Sequence, residues 1–296
     1  MVGKQERRYQ RMITVVLALI SLIMVIPLVL LVVASFTSNN EIVLHGYSFF
    51  PKELSLEAYR YIWNERAQVF HAYGITILVT AIGTTIGVMM TLLYAYVLAH
   101  EKFPGKTFLA FYLFFTMLFN GGLVPTYIMY TRYLHMKNTI PALIIPGLLM
   151  SAFNVILTRT YIQSNVPAAL SEAAKIDGAT EFQVFRKVVL PMCKPIIATV
   201  GLFAGLGYWN DWTNGLYYIT DTNKFSIQQL LNNIKNIEFL SKNANSNINL
   251  ASVGGGIPQE TVRMAIAIVG LLPILIVFPF VQKYFVKGIS IGAVKG

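Results

Sequence analysis

Cysteine and charge are what this sequence has least of. One cysteine, Cys193, stands among 296 residues, which excludes a disulfide framework or a cysteine-based metal site within one copy. Charged side chains make up 12% of the chain, about half of what a soluble domain carries, and this points to a membrane composition. The four histidines, His45, His71, His100 and His135, are scattered without ligand spacing. Neither a metal site nor the interfacial cluster of His, Asp and Glu that an integral-membrane enzyme needs can be read from the pattern. Acidic groups are scarcest, 13 against 23 basic ones, for a formal net charge of +10. Such an excess could suit nucleic acid, so its distribution decides.

What fills the chain is hydrocarbon, 55% of it by residue type. Six apolar windows, 13–35, 73–99, 107–130, 139–157, 195–216 and 264–281, are each near the roughly 20 residues a helix needs to cross a bilayer. A β-barrel would instead show shorter, alternating strands. The expectation is an all-α integral membrane protein with six transmembrane helices. The first window follows Lys4, Arg7, Arg8 and Arg11; its apolar run of about 22 residues exceeds the roughly 7 to 15 of a signal-peptide core, so it reads as a retained first helix.

With the N-terminus inside, most of the 23 basic residues fall on inner segments, including Lys102, Lys106, Arg159, Lys175, Arg186, Lys187, Lys194, Lys283 and Lys287. Both termini are then cytoplasmic. Nearly all of the net charge sits on the inner side, so it is a topology signal and nucleic acid drops out as a partner. The organisation expected is a cytoplasmic segment 1–12, a six-helix domain 13–285 with an inner loop 163–194 and outer loops 36–72 and 219–262, and a cytoplasmic tail 286–296. The second outer loop is rich in Asn and ends in Gly254-Gly255-Gly256 and Pro258, a composition that suits a linker or an arm toward an external partner. Gly83 with Gly87, and Gly201 with Gly205, space small residues so that helix backbones approach closely. Pro125, Pro146, Pro273 and Pro279 lie within or near helices, where kinks are expected.

The one polar island in this oily chain has helix-turn-helix grammar. Pro167 suits a first helical turn, Ala168 to Asp177 are good helix formers, and Gly178 is a natural stop. Thr180 with Gln183 forms a capping box that opens a second short helix, expected to run to Leu190 and to end at Pro191. Ala173 and Ala174 beside the corner let a partner approach, while Glu172, Lys175 and Asp177 fix register. An amphipathic helix lying on the inner leaflet is the plainer alternative.

Glu172-Ala173-Ala174, Asp177-Gly178-Ala179, Phe185 and Leu190-Pro191 with Pro195 resemble the "EAA" loop of bacterial ABC importer permeases. Asn120-Gly121-Gly122-Leu123-Val124-Pro125, Ser151-Ala152-Phe153-Asn154, Tyr208-Trp209-Asn210 and the tail from Lys287 to Gly296 extend the likeness. Together these are similar to the carbohydrate-uptake permeases of the LplC/YtcP branch, related to the maltose permease subunit MalG. The resemblance implies the type I permease fold in the bacterial plasma (inner) membrane. It also implies a heterodimer with a second homologous permease, two ATP-binding subunits and an extracellular solute-binding protein. Glu172, Ala173, Ala174, Asp177 and Gly178 are then the corner that docks the ATPase. The outer loop 219–262 sits where related maltose permeases place a segment that enters the binding protein's cleft.

Gly105-Lys106-Thr107 mimics the end of a phosphate-binding loop, but the first glycine of that motif would fall at His100 and no strand precedes it, so the chain binds no ATP itself. No cofactor is expected in this chain; ATP and Mg belong to the partner subunits. Tyr208, Trp209, Asn210, Asp211, Trp212 and Asn214 combine flat rings with hydrogen-bonding groups, as sugar recognition requires. Trp209 and Trp212 also suit an interfacial aromatic belt. A carboxylate facing lipid is costly, so Asp211 is expected against a cavity, a partner or water. Asn120 and Asn154 are further candidates for the substrate path. The expected function is ATP-driven alternating access for a sugar, with an oligosaccharide favoured, and no covalent chemistry. A permease for an amino acid or peptide, or an integral-membrane enzyme, are the competing classes.

Overall fold

A computed structural model of the chain describes residues 4–100, 103–233 and 259–293; over them the backbone is mostly helical, with one isolated antiparallel bridge, Thr37 to Leu54, and no strand. The helices are α1 (Lys4–Ser35), α2 (Asn39–His45), α3 (Glu57–Asn64), α4 (Arg66–Ala99), α5 (Lys106–Leu118), α6 (Leu123–Ile128), α7 (Pro141–Ile144), α8 (Ala152–Asn165), α9 (Ala168–Ile176), α10 (Glu181–Val184), α11 (Leu190–Met192), α12 (Lys194–Trp209), α13 (Thr213–Tyr218) and α14 (Gln259–Ala293), with π turns at Met129–Tyr133 and Phe185–Val189.

Each apolar window lands on helix, yet not as six straight rods. Among the described residues two helices, Arg8–Ser35 within α1 and all of α4, are long and apolar enough to cross a membrane, or up to four spans if each sharply bent pair counts as one. The third window breaks between α5 and the stretch Leu123–Tyr133, at an angle of 113°. Its cause is local: Gly122 has φ +83°, and Asn120 Oδ1 accepts the Gly122 N–H at 2.9 Å. Pro125 lies in the first turn of α6, where its missing donor costs nothing, so the kink expected there falls on the glycines instead. The fourth window divides at Pro146-Gly147 into α7 and α8, with Gly147 at φ +72°. The fifth divides between α12 and α13, around Asp211.

The chain splits into two compact units, Met1–Val69 with Leu231–Pro273, and Phe70–Leu230 with Ile274–Gly296. In the first, none of the apolar window of α1 is buried, as suits a helix made for hydrocarbon surroundings. The segment that follows α1 is folded. Ser35 Oγ and Tyr59 OH lie 2.8 Å apart, Phe36 stacks on Tyr59 at 4.8 Å, and the Glu41 carboxylate accepts the N–H groups of Lys52 and Glu53 at 2.7 and 2.5 Å. Those backbone donors, Lys52 first, hold the Glu41 carboxyl below its ordinary range. Glu260 Oε2 accepts from Tyr47 OH at 2.9 Å and from Arg263.

Among the described residues, the second unit has two apolar clusters. One gathers Leu98 of α4, Leu113 of α5, Val155 of α8 and Phe185, Val189 and Val200 beyond the polar island. The other holds Val79, Leu143, Ile144, Tyr208, Tyr218 and Phe225. Both glycine pairs serve packing. A Cβ at Gly83 would stand 2.6 Å from Tyr208 Cε1, and one at Gly87 2.7 Å from the Leu149 carbonyl oxygen. Gly205 faces Thr84 and Gly201 faces Val88, so α4 and α12 meet along small residues.

Candidate functional site

The polar island folds as a two-helix corner whose turn at Gly178 is written locally. Pro167 caps α9 from outside, and three good helix formers, Ala168, Ala169 and Leu170, open it ahead of Ser171 and the Glu172-Ala173-Ala174 run. At the far end Gly178 adopts φ +81°; its N–H donates to Lys175 O at 3.0 Å and the Ala179 N–H to Ala174 O at 2.9 Å. These two bonds are a Schellman closure, which satisfies carbonyls the helix end would leave unpaired. Two residues later the next helix opens with the expected capping box: Thr180 N–H donates to Gln183 Oε1 at 2.8 Å and Gln183 N–H to Thr180 Oγ1 at 3.4 Å.

Expectation and structure part at Pro191. The helix does not stop there. The π turn Phe185–Val189 shifts the backbone register just ahead of the proline, which therefore enters the first turn of α11, where no amide donor is required. The chain bends by 81° only after Met192, into α12.

Exposure separates the two sides of the corner. No residue of α9 is buried; Glu172, Ala173, Asp177 and Gly178 face outward together with Ile176, which is 85% exposed. Ala174 and Ala179 rest against the apolar cluster, while Val184, Phe185 and Val189 are buried in it. Burying a side chain the size of Phe185 stabilises by roughly 1.5–3 kcal/mol, so the second helix is the anchor and the first is the presented surface. A polar network spans them: Lys175 Nζ to Glu181 Oε1 at 2.5 Å, Tyr96 OH to Glu181 Oε2 at 2.9 Å, and Lys175 Nζ to His100 Nε2 at 3.5 Å. The Lys175 ammonium, with the Tyr96 hydroxyl behind it, holds the Glu181 carboxyl below its ordinary range. Glu172, Ala173, Ala174, Asp177 and Gly178 are thus brought together on one corner. Tyr96 and His100 were not legible as part of it, since their 80-residue separation from Glu181 leaves no local signal.

The aromatic and amide candidates divide by burial. Tyr208 is buried, its ring over Gly83 and its hydroxyl donating to Ile144 O at 2.9 Å. Asn214 is buried, with Nδ2 donating to Pro146 O at 3.0 Å. Trp209 is buried beside Tyr73, ring centroids 6.4 Å apart. Asp211 Oδ1 accepts the N–H groups of Thr213 and Asn214 at 3.0 and 3.2 Å and so opens α13. That task accounts for a carboxylate at this depth without any ligand. Asn210 and Trp212 face outward, Trp212 by 45%. Asn120 is exposed and occupied with the Gly122 N–H; Asn154 is buried in α8. A missed contributor is Asn138, at φ +59°, whose Oδ1 accepts from Thr220 N at 2.6 Å and Asp221 N at 3.1 Å while its Nδ2 donates to Thr220 Oγ1 at 2.8 Å. With His71 Nε2 at 2.5 Å from Asn223 O, it pins the start of the loop 219–262. Residues 234–258 of that loop, including the Asn-rich run and the triple glycine, lie outside the described residues.

Residues 83–291 match the family described as "Binding-protein-dependent transport system inner membrane component". The chain is 35% identical over 292 residues, 99% of its own length and 100% of the relative's, to the polygalacturonan/rhamnogalacturonan transport system permease protein YtcP of Bacillus subtilis (strain 168). It is also 35% identical to protein LplC of the same organism, over 93% of this chain and 90% of that one. In structure it resembles a chain of a bacterial ABC transporter involved in the import of the acidic polysaccharide alginate, with a TM-score of 0.78 and 28% identity, covering 96% of this chain and 99% of the other.

Proposed function

We infer the role of this chain from the fact that it belongs to the binding-protein-dependent transport system inner membrane component family. It is an inner-membrane permease subunit of an ABC importer, a transport component and not an enzyme, and it works with separate ATP-binding and substrate-binding components. Its cargo, on our reading, is a sugar in oligosaccharide form. The observation that carries this is the 35% identity to YtcP over 99% of this chain and 100% of the relative.

The corner at Gly178 is the docking element for an ATP-binding subunit in this proposal. Glu172 and Asp177 supply charge, Ala173 supplies close approach, and Phe185 ties the element to the bundle. The complex we propose pairs this chain with a second, homologous permease, carries two ATP-binding subunits that hold ATP and Mg, and receives cargo from an extracellular binding protein. Both termini of this chain lie in the cytoplasm. ATP closes the partner subunits, and the corner passes that motion to a bundle with two states that nucleotide and cargo bias differently. Asn210 and Trp212, the accessible members of the aromatic and amide group, are the side chains we place toward the sugar.

The test is ATP hydrolysis by the assembled complex in lipid discs, with its binding protein, against neutral oligosaccharides, uronic-acid oligosaccharides, amino acids and peptides. Stimulation by one class of oligosaccharide is expected. Stimulation by an amino acid or peptide, with every sugar inert, would overturn the sugar assignment.

A further inference from the structure

The presented helix of the corner, α9, buries none of its residues. It meets the bundle through Ala174 and, just beyond the helix, Ala179, and through a polar network: Lys175 to Glu181 at 2.5 Å, Glu181 to Tyr96 at 2.9 Å and Lys175 to His100 at 3.5 Å. The three residues sit on three different elements, α9, α10 and α4. Tyr96, 9% exposed, is packed against two rings, tilted on Phe185 at 5.2 Å and edge-on to His100 at 4.7 Å. Its hydroxyl is therefore a fixed post, and the Glu181 carboxylate bridges that post to the Lys175 ammonium on α9 with one oxygen each.

We propose that Tyr96, Glu181 and Lys175 form a strut that positions the docking helix α9 against α4 and hands the movement of the corner to the bundle. This rests on the docking role proposed above. The same α4 carries Gly87 and Gly83 further along, 13 residues from Tyr96 to Gly83, or about 20 Å at 1.5 Å per residue. There it meets the Leu149 carbonyl and the Tyr208 ring. One rigid helix thus joins the corner to the end of α12 and to the break between α7 and α8. Contact between packed, stiff elements is how a displacement at one end of a helix reaches the other.

The strut is ill suited to merely hold the fold together. The Lys175 and Glu181 side chains are 38% and 60% exposed, and half-exposed ion pairs add little to stability. Their geometric role can therefore be separated from folding. His100, 3.8 Å from Glu181 and 3.5 Å from Lys175, flanks the pair.

The experiment uses the complete importer in lipid discs with its binding protein, reading three quantities: co-purification of the ATP-binding subunits, melting temperature, and sugar delivered per ATP hydrolysed. Lys175→Glu and Glu181→Lys are each expected to keep the subunits and the melting temperature while lowering sugar per ATP about fivefold, and the double swap to restore it to within about twofold. Tyr96→Phe removes only the hydroxyl and is expected to lower the ratio about twofold, with the bundle intact. An unchanged ratio in Lys175→Glu and Tyr96→Phe overturns the strut, and so does a double swap no better than the single variants. Loss of the ATP-binding subunits in Lys175→Glu alone also overturns it, since Lys175 would then belong to the docking surface itself. If the unsubstituted chain brings down no ATP-binding subunit, the docking reading fails and the strut falls with it, whereas the outcomes above overturn the strut with the docking reading intact.

Discussion

Gly178 turns the corner with φ +81°, and a Cβ built there meets nothing within 4 Å. Substituting it therefore carries one cost inside this chain, the left-handed backbone, which is about 1–2 kcal/mol for an ordinary L residue and less for Asn. At 1.4 kcal/mol per factor of ten, Gly178→Ala should depopulate the docking geometry about 5- to 30-fold, and Gly178→Asn by a clearly smaller factor. Gly178→Leu should match Ala, because its extra carbons also extend into open space. The assay is sugar-stimulated ATP hydrolysis by the reconstituted complex, with membrane insertion of each variant checked by its yield in discs. The expected order is Gly, then Asn, then Ala and Leu together. If Ala equals Gly, the left-handed backbone is not what the corner depends on. A Leu variant far below Ala would mean that the space beside Gly178 is filled by the docked subunit, and would locate that surface to within a side chain.

Gly83→Ala pushes a methyl group into the Tyr208 ring and should destabilise by about 1–3 kcal/mol, read as a lower melting temperature of the purified complex; Gly205→Ala, whose Cβ would lie 3.5 Å from Thr84 Oγ1, should be nearly silent. Tyr208→Phe leaves the buried Ile144 carbonyl without its 2.9 Å donor and should cost about 1–3 kcal/mol with no change in sugar selectivity; altered selectivity at unchanged stability would place Tyr208 in the sugar path. Asn138→Ala removes the bonds to Thr220 and Asp221, so hydrogen exchange across 219–225 should accelerate at least severalfold; unchanged protection would show that the loop is held elsewhere. Acidification tests the corner. Lys175 holds the Glu181 carboxyl below its ordinary range, so this carboxylate's contribution is fully present above the ordinary carboxylate pKa and is lost as pH falls through the lowered one. Exchange protection of the Ala179 amide should hold at neutral pH and fall as acidification passes the lowered value, and Lys175→Gln should move the fall up toward ordinary carboxylate pH.

The two ends of the second unit differ in how far sequence alone could describe them, and the reason is the range of the interactions that build them. Gly178, the Thr180 and Gln183 capping box and the Glu172-Ala173-Ala174 run all lie between residues 172 and 183 and each acts on near neighbours in the chain, so this corner was readable to the residue. The π turn before Pro191 was not, because proline is a helix stop only if the preceding register is α, and nothing in Phe185–Val189 announces a wider turn. The broken windows failed for a related reason. A hydropathy window registers that residues are apolar, and it cannot register that Asn120 bonds the Gly122 N–H or that Asp211 opens α13, since a capped break is as apolar as a continuous span. The aromatic group near Trp209 shows the limit most sharply. Tyr208 and Asn214 looked like ligands for sugar because ring and amide chemistry are shared by recognition and by packing; what separates them is a partner 64 or 68 residues away, Ile144 O and Pro146 O. Both partners lie where α7 ends, a stretch whose carbonyls lack helical donors. Long polar side chains from α12 and α13 supply those donors, and this is the physical demand that any broken helix inside a membrane must meet. Substitutions at Tyr208 and Asn214 should therefore share one phenotype, instability of the α7 end, while Trp212, and Asn210 whose Nδ2 donates only to the Leu206 carbonyl of its own helix end at 3.0 Å, are the positions at which a change in sugar preference should be sought.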